Sequence, residues 1–115
     1  MKIIRTKNEN ISVKEKYLMS KNPEIRRMRD AEGTIIPVLN WMLYVDTDSI
    51  GNEQTLLSIL STDNVAYTTN SKTFMMAFDD LCDIYTDSGE EITAIKVISG
   101  QSKAGRHFIT CVYAE

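Results

Sequence analysis

The sequence is poor in the residues that usually carry metal, redox or nucleophilic chemistry. It has one histidine, His107, and two cysteines, Cys82 and Cys111, in 115 residues. No CxxC pair or histidine cluster accompanies them, so neither a zinc site nor a disulfide framework is expected. Both cysteines are expected to be reduced, buried thiols, because free cysteine packs as a small hydrophobe. No glycine-rich phosphate loop of the Walker or dinucleotide kind is present, and no cofactor is expected. No apolar run approaches the roughly 20 residues of a membrane helix. The N-terminal Met1-Lys2-Ile3-Ile4-Arg5 lacks the apolar core of a signal peptide. A soluble, cytoplasmic chain with no membrane partner is the expectation.

What is present is ordinary globular composition, 43% apolar and 25% charged. The net charge of −3 hides an asymmetry. Residues 1–30 hold nine Lys or Arg against four acids, and the remaining residues hold four against twelve. A basic arm beside an acidic body points to contact with a polyanion through the arm.

The chain divides near residue 33. Residues 1–32 form a basic extension with little apolar content. In it, Ser12 and Glu15 make a capping-box pattern that starts a helix over residues 13–20, and Asn22-Pro23 stops it. The extension is open to three roles: contact with DNA, self-association, or folding back over the rest. From residue 34 the composition turns to Ile, Val, Leu, Trp and Tyr, which favour strands. Strands are expected over 34–46, 53–61 and 65–69. Residues 72–86 place Phe74, Phe78, Leu81 and Tyr85 on one helical face, with Asn70-Ser71 as the cap. Two more strands, 92–99 and 106–113, flank a glycine-containing hairpin loop. On the first strand the odd positions Ile35, Leu39, Trp41, Leu43 and Val45 form the more apolar face, although Pro37 is a site where register can slip by one. The fold class is thus mostly β. The order β-β-β-α-β-β is that of the OB-fold, a five-stranded Greek-key barrel with one helix, here spanning 33–115.

Catalysis finds no support in this pattern, and the chain is not expected to be an enzyme. His107 and Cys111 share strand parity, but no orienting group or oxyanion hole accompanies them. Asp79, Asp80 and Asp83 read as a solvated helix face rather than a magnesium site. Binding of single-stranded nucleic acid needs only cations that follow phosphates and aromatic faces that stack bases. The stacking candidates are Tyr44, Tyr67, Trp41 and Phe108. Tyr44 ranks ahead of Trp41 because its face of the strand is more polar. The phosphate candidates are Lys72, Lys96, Lys103 and Arg106, joined by Arg26, Arg27 and Arg29 of the extension.

A collinear series of segments then carries a family resemblance. It runs through Gly33-Thr34-Ile35-Ile36, Leu57-Ser58-Ile59, Tyr67 with Ser71-Lys72-Thr73, the helix from Ala77 to Asp83, Lys96-Val97, Gly100, and Ser102-Lys103-Ala104-Gly105-Arg106-His107-Phe108. Over residues 33–113 the chain resembles the single-stranded-DNA-binding proteins of small protein-primed tailed phages of Bacillus-like hosts. The resemblance implies sequence-nonspecific coating of displaced strands during phage DNA replication, with replication proteins as further partners, and it supports Tyr67. The extension departs from the family pattern and is a candidate for self-association. The rival reading is a phage interaction module that uses its acidic surface on a host or replication protein.

Overall fold

The computed structural model describes residues 1–7 and 10–115. It is mostly β, a curled half-barrel sheet with two helices. The expected elements form close to their expected bounds: β3 (Ile35–Thr47), β4 (Glu53–Ser61), β5 (Ala66–Thr69), α2 (Lys72–Asp87), β6 (Ala94–Gln101) and β7 (His107–Tyr113). The extension adds β1 (Lys2–Thr6), α1 (Val13–Ser20), β2 (Arg26–Arg27) and a 3-10 turn over Met28–Ala31. The main path of the sheet is β2-β5-β4-β3-β6-β7, and β1 pairs with β3.

Local chemistry accounts for the element ends. Ser12 Oγ accepts from Glu15 N at 3.0 Å and Glu15 Oε1 accepts from Ser12 N at 3.4 Å, completing the capping box of α1. Ser71 Oγ accepts from Phe74 N at 3.2 Å and caps α2. The β3–β4 turn is held by Asp48 Oδ1, which accepts from Ile50 N at 3.0 Å and Asn52 N at 2.9 Å. Gly51 supplies the positive φ of 89° that this turn requires.

β3 organises the whole molecule. Its first residues, Ile35 to Pro37, pair with β6, and its later residues, Met42 to Val45, pair with β1. Its pairing with β4 shifts register between Val38 and Asn40, which leaves Leu39 as the extra residue of a bulge. The bulge reverses the alternation. Ile36 and Val38 lie in the larger core, and so do Trp41 and Leu43 beyond the bulge. Met42 and Tyr44 lie in a second core on the opposite face. Of the odd positions expected to form the more apolar face, only Trp41 is buried; Ile35 and Leu39 are exposed and Leu43 and Val45 half-buried, whereas the even positions Ile36, Val38, Asn40, Met42 and Tyr44 are buried, on one face before the bulge and on the other after it.

The larger core joins α2, through Phe74, Phe78 and Cys82, to Leu57, Ile59, Ile95, Val97, Ile109 and Cys111. The smaller one lies under α1, where Met19 is fully buried against Met42, Tyr44, Leu60 and Ala66. Of the three roles open to the extension, the structure displays folding back. β1 extends the sheet along β3, α1 covers one sheet face, and Met28 and Ala31 enter the larger core. Cys82 and Cys111 are both free and buried in that larger core, as expected.

Candidate nucleic-acid interface

The curled sheet does not close. Among the described residues β5 pairs with β4 and β2, and β7 pairs only with β6. Between β5 and β7 a cleft of about 420 Å³ remains. One wall is Thr68, Thr69, Asn70 and Ser71, at the junction of β5 and α2; the other is His107, Phe108 and Ile109. Arg27, Met28 and Arg29 of the extension line the same space. The fold therefore brings part of the basic arm to the seam of the sheet.

The sequence explains why each group sits there. Arg26 and Arg27 form β2, which pairs parallel to β5 with Arg26 in register with Tyr67 and Arg27 with Thr68. Two residues suffice because Met28, the next one, is buried as an anchor. Arg29 is held at the rim by the 3-10 turn that follows. On the other wall, Phe108 is half-buried and its ring covers Gly100, its cross-strand partner. A Cβ at Gly100 would stand 2.5 Å from the ring carbon Cζ of Phe108, so only glycine permits this close approach. Lys103 and Arg106 occupy the exposed β6–β7 hairpin loop, closed by Ser102 N donating to Arg106 O at 2.9 Å.

The electrostatics of the seam are simple. Arg27 is paired with Asp30 at 3.2 Å, with both side chains exposed. Arg26, Arg29, Lys103 and Arg106 are exposed and form no ion pair among the described residues. Lys96 is equally unpaired but stands farther along the hairpin, in register with Ile35 and Val112. Lys72 lies outside the cleft, over a shallow hollow shared with Glu53, Asn70 and Met75.

Two stacking candidates are out of reach in this structure. Tyr44 is 2% exposed, and its hydroxyl donates to Met19 O at 3.3 Å and lies 3.2 Å from Ser58 Oγ. Its polar-looking face is covered by α1, which explains why a tyrosine rather than an exposed aromatic stands there. Trp41 is 6% exposed, packs edge-on against Phe78 with ring centroids 5.3 Å apart, and has the Arg5 guanidinium 5.4 Å from its ring centre. Tyr67 and Phe108 are half-buried, and Tyr67 packs against the larger core. The sequence reasoning missed the cleft's hydroxyl and amide lining, Thr68 to Ser71, whose role depends on a seam that no local pattern reveals.

The residues that invited a catalytic reading are placed as follows. His107 is exposed at the start of β7, whereas Cys111 is buried with its thiol pushed up to about 12 by desolvation. Cys82 is pushed up to about 11 for the same reason. Activation of a thiol needs a shift in the other direction. Asp79 is not simply solvated, since its carboxylate accepts from Arg5 Nη1 at 2.8 Å.

No curated protein and no solved structure matches the chain. A family model described as phage single-stranded DNA-binding protein matches residues 19–113, which include β2 to β7, both walls of the cleft and the end of α1. The chain belongs to the phage single-stranded DNA-binding protein family.

Proposed function

We propose that the chain is a non-catalytic, sequence-nonspecific coat for single-stranded DNA that covers displaced strands during phage DNA replication. Membership of the family supports single-stranded DNA binding, and the seam between β5 and β7 is our candidate for where it occurs. The observation that carries the assignment is the meeting of Arg27 and Arg29 with Phe108 in the lining of that cleft; Arg26 precedes them on β2, and Lys103 and Arg106 lie in the loop that leads into β7. Cations give affinity that does not depend on base identity, and aromatic faces stack any base. The strand path also fits what remains open, because α1 already covers the face of β3, β4 and β5 that holds Tyr44.

We read the architecture as an OB-type half-barrel. The order β5-β4-β3-β6-β7, with α2 between β5 and β6, is what an OB barrel gives when it is opened between its third and fifth strands. The first strand, β3, and its bulge then correspond to the point where such a sheet bends. We place the domain at residues 33–115 and treat residues 1–32 as an extension that completes one face of it.

Anisotropy of a labelled oligo-dT, titrated at several salt concentrations, tests the site. Affinity should fall with salt at about 0.7 logarithmic units per phosphate neutralised, and Arg29→Ala should lower that slope by about this amount. Phe108→Ala and Tyr67→Ala should each cost roughly 1–3 kcal/mol if the ring stacks a base. Wild-type affinity and salt slope in the combined Arg29→Ala, Phe108→Ala protein would place the strand elsewhere.

A further inference from the structure

The cleft at the seam does not end at Asn70. This exposed residue, between β5 and α2, lines the cleft and also a second hollow of about 330 Å³. The two spaces therefore meet at one side chain. The second hollow lies between the start of β4, at Glu53, Gln54 and Thr55, and the first turns of α2, at Lys72 and Met75. It exists because β5 is short. β5 pairs with β4 only from Leu57 to Leu60, and the chain then leaves the sheet to begin α2. From Glu53 to Leu56 the edge of β4 away from β3 has no strand beside it among the described residues.

The lining of this hollow suits a nucleotide. Lys72 is exposed and forms no ion pair among the described residues. The side chains of Gln54, Thr55 and Asn70 are exposed, and none makes a hydrogen bond within the protein among the described residues. A carboxamide both donates and accepts, so Gln54 and Asn70 can meet the edge of any base. Met75 is half-buried, and its thioether can make a favourable contact with an aromatic ring. Glu53 is the acid of the lining. It repels a phosphate and accepts only, which sends the sugar-phosphate backbone to the side of Lys72 and the bases toward β4.

We propose that the single strand, having crossed the seam, passes over Asn70 and continues into the hollow between β4 and α2. There Lys72 takes a phosphate, and a base lies on Met75 within reach of Gln54. This rests on the seam as the DNA site and gives the strand a direction through it. It leaves past the first turns of α2 rather than along the β6–β7 hairpin toward Lys96. The shared side chain of Asn70 carries the inference, because it makes two separate cavities one continuous track.

Oligo-dT of increasing length, added to isotopically labelled full-length protein and followed by NMR, tests the path. With the shortest oligomer that binds, the signals of Phe108 and Arg29 should shift. The Met75 methyl and the Gln54 side-chain amide should join them as the oligomer lengthens. In salt titrations with the longer oligomer, Lys72→Ala should lower the slope by about 0.7 logarithmic units, the value for one phosphate on a single strand. Glu53→Gln should tighten binding of the same oligomer. Lys72 and Glu53 are both exposed, and circular dichroism should report unchanged folds. Signals of Met75 and Gln54 that stay fixed at every length, while Phe108 and Arg29 shift, overturn the proposal and leave the seam standing. A slope lowered by Lys96→Ala and not by Lys72→Ala sends the strand along the hairpin and overturns it as well. Shifts at Met75 and Gln54 with none at Phe108 or Arg29 overturn the seam, and with it a path that begins there.

Discussion

Met19→Ala is the sharpest probe of whether α1 is a permanent part of the fold. Met19 has no exposed surface and packs against Met42, Tyr44, Leu60 and Ala66, a cluster of five buried residues among those described. Truncating a buried methionine to alanine costs about 2–5 kcal/mol, from lost transfer energy and from the cavity left behind. The same residue also lends its carbonyl to the Tyr44 hydroxyl at 3.3 Å, and a shift of the helix would strand that group. A domain of this size has about 5–15 kcal/mol of stability in all, so the loss is a large share of it. Urea unfolding followed by circular dichroism measures the change, with the slope of the transition checked for constancy. A loss below about 1 kcal/mol would refute the reasoning, because it would mean that α1 rests on the sheet without depending on it. Tyr44→Phe gives an independent reading. It removes the hydroxyl alone and should cost about 1 kcal/mol in stability while leaving DNA affinity intact.

Three further outcomes follow from other parts of the structure. Gly100→Ala should displace the Phe108 ring, since the new Cβ would stand 2.5 Å from Cζ, and the aromatic signals of Phe108 in an NMR spectrum should move more than those of any other ring. Glu15 is held below its ordinary value of 4.5, chiefly by the Asn40 amide, so the stability it contributes is present above that value and is lost as pH falls through the lower folded value. Glu15→Gln should therefore flatten the acid dependence of stability below about pH 5, and an unchanged acid limb in urea titrations would contradict this. Cys82 and Cys111, buried and with thiols pushed up to about 11 and about 12, should react with a thiol reagent only as fast as the protein opens. Rapid labelling of either in the native state at neutral pH would show that the larger core is more accessible than it appears.

Much of the fold could be read in the sequence where a local pattern decides it. The Ser12–Glu15 capping box, the Phe74–Phe78 stripe and the Asp48–Asn52 turn all formed as expected, because each is fixed within one or two turns of chain. β1 could not be read this way. Its Ile3 and Ile4 are adjacent rather than alternating, and it becomes a strand because β3 offers a free edge beyond the reach of β6. β2 is only two residues long and is fixed by the burial of Met28 next to it. Tyr44 was misjudged because its polar neighbours on the strand, Asn40 and Asp46, are engaged by Glu15 and Lys21 from a distant segment rather than by solvent. The arginines were recognised as candidates from charge alone, but the seam that gathers Arg27 and Arg29 near Phe108 is a property of the tertiary fold.

The extra residue at Leu39 has a consequence for how this chain can change over time. Loops usually absorb insertions and deletions, but here one residue in mid-strand decides which side chains serve which of two cores. Deleting it would send Trp41 and Leu43 to the side of α1, and Met42 and Tyr44 to the side of α2. Homologous chains should then vary freely in side chain at position 39, which is exposed, while keeping the residue count between Pro37 and Trp41 fixed. Length, rather than identity, is what that position hands down.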